Sequence, residues 1–182
     1  SVMNGFQKEV RERILGMTSH ATISAYNENL QNWPEAIQLA QNHANVIGEA
    51  PFIEAQTMLT RGGKVSGALL RGILPAYEKK VSTVGDHMLS AKLEDLEAGN
   101  FGIILGNELA MLLGAGVGDK VTVVTPQLRV TPAGSMPRLK SFTVQGIFEV
   151  GMGEYDRGVA LVHLEDAAKL MKMGDGVTGV RL

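Results

Sequence analysis

The chain has no cysteine. That excludes disulfides, thiolate metal sites and cysteine nucleophiles, and leaves the compartment open. No apolar run approaches the roughly 20 residues that span a bilayer as a helix, and no signal peptide is visible. Aromatic residues are scarce, 5%, so a core must be packed from Val, Ile, Leu, Met and Ala. A dense basic stripe is also missing. With a net charge of −2 and interspersed signs, a general nucleic-acid binder is not indicated.

One local absence is more informative. No Asp or Glu occurs between Val121 and Phe148, while Arg129, Arg138 and Lys140 do, so this stretch is positive on a slightly negative chain. Three of the six prolines, Pro126, Pro132 and Pro137, fall inside it. It lies between two runs of strand composition, 120–125 and 141–148, and so has the layout of a hairpin with a connection far above the usual two to five residues or so. Proline fixes φ and removes an amide donor, which predicts a projecting, partly pre-ordered loop rather than a continued ladder. Leu128, Val130, Met136 and Leu139 supply apolar side chains without a core to enter. A disordered loop would have low hydrophobicity and high charge, and this one has neither. Pre-ordering lowers the entropy lost on binding, so the stretch reads as a recognition arm.

At 182 residues the chain is large enough for one good core or two small subdomains. Met3, Phe6, Val10 and Ile14 recur at helical spacing over residues 3–15, with Glu9 and Arg13 as an i,i+4 pair and Gly16 as a stop. Because Ser1 opens inside this pattern, the chain reads as a piece of something longer. Residues 20–26 predict a strand. Asn32 and Glu35 resemble a capping box before a helix that Pro34 starts. An extended run over 46–60 and a turn at 61–64 lead into a paired strand over 64–73. A short acidic turn is expected at 93–99, a strand at 103–105, and a helix over 108–113 capped by Asn107 and ended by Gly114. Strand 159–164, helix 165–173 and strand 177–182 close the chain. The acids of that helix, Glu165 and Asp166, stand at its start and Lys169 and Lys172 near its end, as the macrodipole favours.

Strand–helix–strand units thus stand at the front, 20–60, and at the back, 159–182, and such units usually share a sheet with both helices on one face. The predicted class is α+β, with an outer part interrupted by a β-rich insertion over roughly 76–150. No catalytic signature is found. Gly114–Gly118 follows a helix and precedes a strand, whereas a phosphate loop needs a helix N-terminus after its glycines. His20, His43, His87 and His163 stand singly, and Glu94, Asp95 and Glu97 read as solvated surface. Met111, Met171 and Met173 are assigned to the core and Trp33 to a staple against the sheet.

Ser1–Phe6 with its charged helix, Ile103–Gly106, Gly118–Val121, Val144–Ile147 and Leu164–Met171 together resemble the LolC/LolE membrane subunits of the lipoprotein-releasing ABC transporter. The resemblance covers essentially the whole chain. It implies a periplasmic domain of a bacterial inner-membrane protein with a MacB-like core fold. Residues 1–17 would be a membrane-proximal helix, 18–75 and 151–182 a Porter-like subdomain, and 76–150 a Sabre-like subdomain carrying a Hook hairpin at 125–140. In the family the LolC Hook recruits the periplasmic carrier LolA. The resemblance therefore implies a LolA site made of Pro126, Gln127, Leu128, Arg129, Val130, Thr131, Pro132, Ala133, Gly134, Ser135, Met136 and Pro137, with Arg138 and Lys140 as an accessory patch. Thr122 stands where a second basic residue is expected, and the Hook is one residue shorter.

Asn32-Trp33-Pro34-Glu35-Ala36 is closer to the LolE pattern, a mixture similar to the LolF subunit that serves as a homodimer. The domain itself would do no chemistry and hold no cofactor. ATP hydrolysis would fall to a separate LolD-type subunit, beside a second membrane subunit (LolE-like or another copy), with lipoproteins as cargo. A LolE-like partner without carrier docking and a MacB-like exporter domain that docks an adaptor are the rival expectations, with a hydrolase or small-ligand binder further off.

Overall fold

The computed structural model describes residues 2–17, 20–26 and 28–182. Helix α1 (Val2–Met17) precedes a short strand β1 (Thr22–Ile23), and α2 (Trp33–Gln41) leads to the long hairpin β2 (Ala50–Arg61) and β3 (Lys64–Ile73). After α3 (Pro75–Glu78) come β4 (Met88–Ser90), β5 (Gly102–Gly106) and α4 (Asn107–Leu113). The second long hairpin is β6 (Lys120–Thr131) and β7 (Gly134–Phe148), followed by α5 (Gly153–Gly158), β8 (Val159–His163), α6 (Leu164–Met171) and β9 (Gly179–Arg181). Mixed α+β is therefore the class. Among the described residues no helix is long and apolar enough to cross a membrane.

Pairing runs β2–β3, β3–β8, β8–β5, β5–β7, β7–β6 and back from β6 to β2, so the central strands close into a ring. The closing contact is short, Met58–Thr60 against Thr122–Val124. Hydrogen bonding crosses the boundary expected between the outer part and the insertion, since β5 pairs with β8 and β6 with β2. Inside the ring, Leu59, Leu70, Ile103, Leu105, Val121, Val123, Phe142 and Val162 are buried with Leu109 and Leu113 of α4 and Leu164, Ala167 and Leu170 of α6. A second apolar cluster, with Ile73, Ile104, Phe148 and Leu161, packs beneath Val84, Leu93, Leu96 and Met17. Because strand side chains alternate, one residue in two feeds each side.

Helix α6 lies close on β3. A Cβ at Gly72 would come within 2.7 Å of the Ala167 Cβ, so only glycine allows this approach. The approach seats α6, and with it Asp166 and Lys169, against the sheet.

Several local expectations change. Asn32 makes no side-chain cap, although Pro34 does occupy the first turn of α2. Gly106, not Asn107, is the N-cap of α4, and Asn107 is already helical. Strand β1 is two residues long rather than seven, and among the described residues it pairs with the edge of β9. Met111 is 65% exposed, outside the core assigned to it, whereas Met173 packs against the core. Trp33 is half-buried against the core and meets Tyr77 edge to face, with centroids 6.2 Å apart. Helix α6 ends at Lys172, which takes φ 51°, ahead of the expected stop at Gly174. The side chains of Val10, Arg13, Ile14 and Gly16 lie outside the described residues.

Candidate functional site: the arm of the β6–β7 hairpin and its root

The ring strands β6 and β7 do not stop at the ring. From Lys120↔Thr143 to Val124↔Leu139 they pair in one register, and from Leu128↔Pro137 to Thr131↔Gly134 in another. The shift leaves Thr125, Pro126 and Gln127 opposite Arg138 alone, a bulge that bends the ribbon at the root. Past Val124 neither strand pairs with β2, so a two-stranded arm projects.

The loop predicted for this stretch is thus a ladder, and the proline argument fails for a definite reason. A two-residue turn, Pro132-Ala133, makes Thr131↔Gly134 the hydrogen-bonded type of pair, so Leu128↔Pro137 falls on a non-hydrogen-bonded position. There an amide would point away from the partner strand, and proline loses nothing. Pro126 sits in the bulge and Pro132 in the turn, where Gly134 adopts φ 117° and the Thr131 hydroxyl donates to the Gly134 carbonyl at 2.8 Å. All three prolines avoid the ladder's bonds.

The register also sorts the arm's side chains. Opposed residues share a face and neighbours alternate. Leu128, Val130, Ser135, Pro137 and Leu139 therefore lie on one face, and Arg129, Met136, Arg138 and Lys140 on the other. Leu128, Val130, Met136 and Leu139 are all exposed, Val130 at 88%. The apolar face continues onto the ring through Val124 to exposed Met58, its direct partner on β2. Met136 is the surprise. Sequence alone groups it with Leu128 and Val130, whereas pairing places it with the cations.

The cationic face meets α6. Phe101, Arg129, Arg138, Leu139, Lys140, Lys169 and Leu170 line a cleft of about 260 Å³ at the arm's root. Phe101 packs edge to face on buried Phe142, centroids 5.5 Å apart, and the Lys140 ammonium lies 4.4 Å from its ring centroid. Such a cation–π contact is worth about 0.5–1 kcal/mol when exposed. Phe101 takes φ 49°, uncommon for an aromatic residue. Asp166, fully buried on α6, holds it there: its carboxylate accepts from the Gly99 amide at 2.7 Å and the Phe101 amide at 3.0 Å. Neither Phe101 nor Asp166 was singled out for this role by the sequence. The signal for Phe101 was present only as an isolated aromatic between Asn100 and Gly102.

The expected patch residues Arg138 and Lys140 are thus together, joined by Lys169 from a distant element. Thr122 lies beyond them, in the ring itself, opposite Ser141.

Residues 1–181 match the MacB-like periplasmic core domain model. The chain is 48% identical over all 182 residues to the lipoprotein-releasing system transmembrane protein LolC of Xylella fastidiosa (strain Temecula1 / ATCC 700964), and 44% identical to that of Neisseria meningitidis serogroup B (strain ATCC BAA-335 / MC58). It spans 44% of the length of each. Among solved structures, the periplasmic region of MacB from Actinobacillus actinomycetemcomitans superimposes with a TM-score of 0.60 at 14% identity, covering 96% of this chain and 78% of that one, a likeness of fold alone. Homologous over its whole length to LolC, the chain belongs to the MacB-like periplasmic core domain family.

Proposed function

We propose that this chain is the periplasmic domain of a LolC-type subunit of a lipoprotein-releasing ABC transporter, and that its arm is a Hook that recruits LolA. The observation that carries the reading is the arm itself: a paired ribbon beyond the ring whose apolar face presents Leu128, Val130 and Pro137, all exposed among the described residues. The paired backbone limits the ordering cost of docking. Burial of Leu128 and Val130 in a partner would contribute about 1.5–3 kcal/mol each before those costs. That magnitude suits a carrier that must leave again.

In this reading the domain works by holding LolA beside the membrane subunits while a LolD-type ATPase drives release of a lipoprotein from the inner membrane. Catalysis is not its task. The parts 18–75 with 151–182 and 76–150 would correspond to Porter and Sabre, sharing the ring of strands. Arg138 and Lys140 would contact LolA beside the Hook.

Leu128→Asp tests the proposal. It places a charge on the apolar face of an exposed ribbon, so LolA binding should be lost while circular dichroism and melting stay as in the parent. Undiminished LolA binding by a folded Leu128→Asp chain would contradict the Hook assignment and favour a LolE-like or exporter-like role.

A further inference from the structure

We propose that the arm docks by strand addition: its β6 edge, through the backbone of Leu128 and Val130, takes an extended segment of the partner protein as a third strand. The proposal rests on the docking reading for the partner and adds the geometry of the contact.

In an antiparallel ribbon each non-hydrogen-bonded pair turns its amides and carbonyls outward, away from the other strand. Counted from the turn pair Thr131↔Gly134, those pairs are Val130↔Ser135 and Leu128↔Pro137. The two edges of the arm are therefore unequal. The β6 edge offers an N–H and a C=O at both Leu128 and Val130. The β7 edge offers both groups at Ser135 but only a carbonyl at Pro137, since proline has no N–H to give. A proline on an exposed edge works against unwanted strand pairing, and here it guards one edge alone.

The unguarded edge is also free. Strand β2, the neighbour of β6 in the ring, pairs with it only as far as Val124. Among the described residues no backbone hydrogen bond joins residues 126–138 to anything outside the hairpin. Residues 126–130 are all exposed. The bulge bounds this edge at Gln127 and the turn bounds it at Pro132, so the acceptor is short. A short edge suits a contact that must later be undone.

The side chains along the edge define the strand that fits it. Leu128 and Val130 stand on the apolar face, with Arg129 between them on the other. A matching strand has apolar residues opposite Leu128 and Val130 and a neutral or acidic one opposite Arg129. A second copy of the arm does not meet this requirement. The self-pairing that uses the outward groups of both residues sets Leu128 opposite Val130, and so places Arg129 directly opposite its own copy, like charge on like.

The test is amide hydrogen exchange, read by NMR on the 182-residue chain, free and saturated with purified LolA. The Leu128 and Val130 amides should slow at least about tenfold on binding, while the Ser135 amide on the guarded edge stays as it was. Binding without slowing at Leu128 and Val130, or with equal slowing at Ser135, overturns strand addition and leaves the Hook reading standing. Absence of binding overturns both. Calorimetry on two variants then separates backbone from side chain. Val130→Pro deletes the outward amide at a position as compatible with the hairpin as the native Pro137, whereas Val130→Ala shortens the side chain and keeps the amide. Val130→Pro should bind LolA at least about tenfold more weakly than Val130→Ala, with cross-strand nuclear Overhauser effects intact in both. Equal affinities of the two variants overturn the proposal.

Discussion

Asp166 shows how one residue can hold a surface feature from inside the core. Its two oxygens serve the Gly99 and Phe101 amides, and it has no cationic partner among the described residues. Asp166→Ala would remove the acceptor that the Gly99 and Phe101 amides share in a part-buried setting, so thermal denaturation should show a loss of about 1–3 kcal/mol in all, with smaller damage in Asp166→Asn, which keeps one acceptor. Gly72 makes the complementary case. Gly72→Ala would press a methyl against Ala167 and the Leu164 Cα, 3.3 Å away, and should cost about 1–3 kcal/mol in chemical denaturation. If that variant is as stable as the parent, α6 is not seated as described. Neither residue was legible beforehand. An acid in the first turn of a helix reads as a dipole partner, and only the tertiary fold brings it to residues 99–101.

At the scale of elements, the strands at the base of the arm, helix α6 and the β2–β3 hairpin were readable, because period-two apolar alternation and turn residues dominate there. The arm's own ladder was not. Three prolines argued against it, and their compatibility depends on which pairs are hydrogen-bonded, a matter of register that composition does not carry. Of the candidate site, the stretch 126–137 and the neighbours Arg138 and Lys140 were visible. The division of that stretch into an apolar and a cationic face was not, nor was the contribution of α6. The register makes its own prediction. Pro137→Val should leave the arm's cross-strand contacts intact, whereas Met136→Pro, at a hydrogen-bonded position, should abolish them around Arg129. Cross-strand nuclear Overhauser effects between residues 128–131 and 134–137 decide the matter.

For the whole molecule, the ring of strands matters because it gives the arm a fixed base. Strands β6 and β7 enter the core through Val121, Val123, Phe142 and Val144, and the same strands leave it as the arm. The base is therefore as stable as the core, while the arm adds nothing to it. Pro126–Pro137 replaced by a short Gly-Ser turn should melt within a few degrees of the parent. The two-part division suggested by the sequence did not foresee this closure, since it rests on three residue pairs between strands some sixty positions apart. Long-range pairing of that kind leaves no local pattern. The most direct measurement of the central claim is calorimetric titration of purified LolA into the intact chain and into the arm-replaced one. Saturable binding to the intact chain that vanishes with the arm is the predicted result. A folded arm-replaced chain that binds LolA as well as the parent, or an intact chain that does not bind it, would contradict the account.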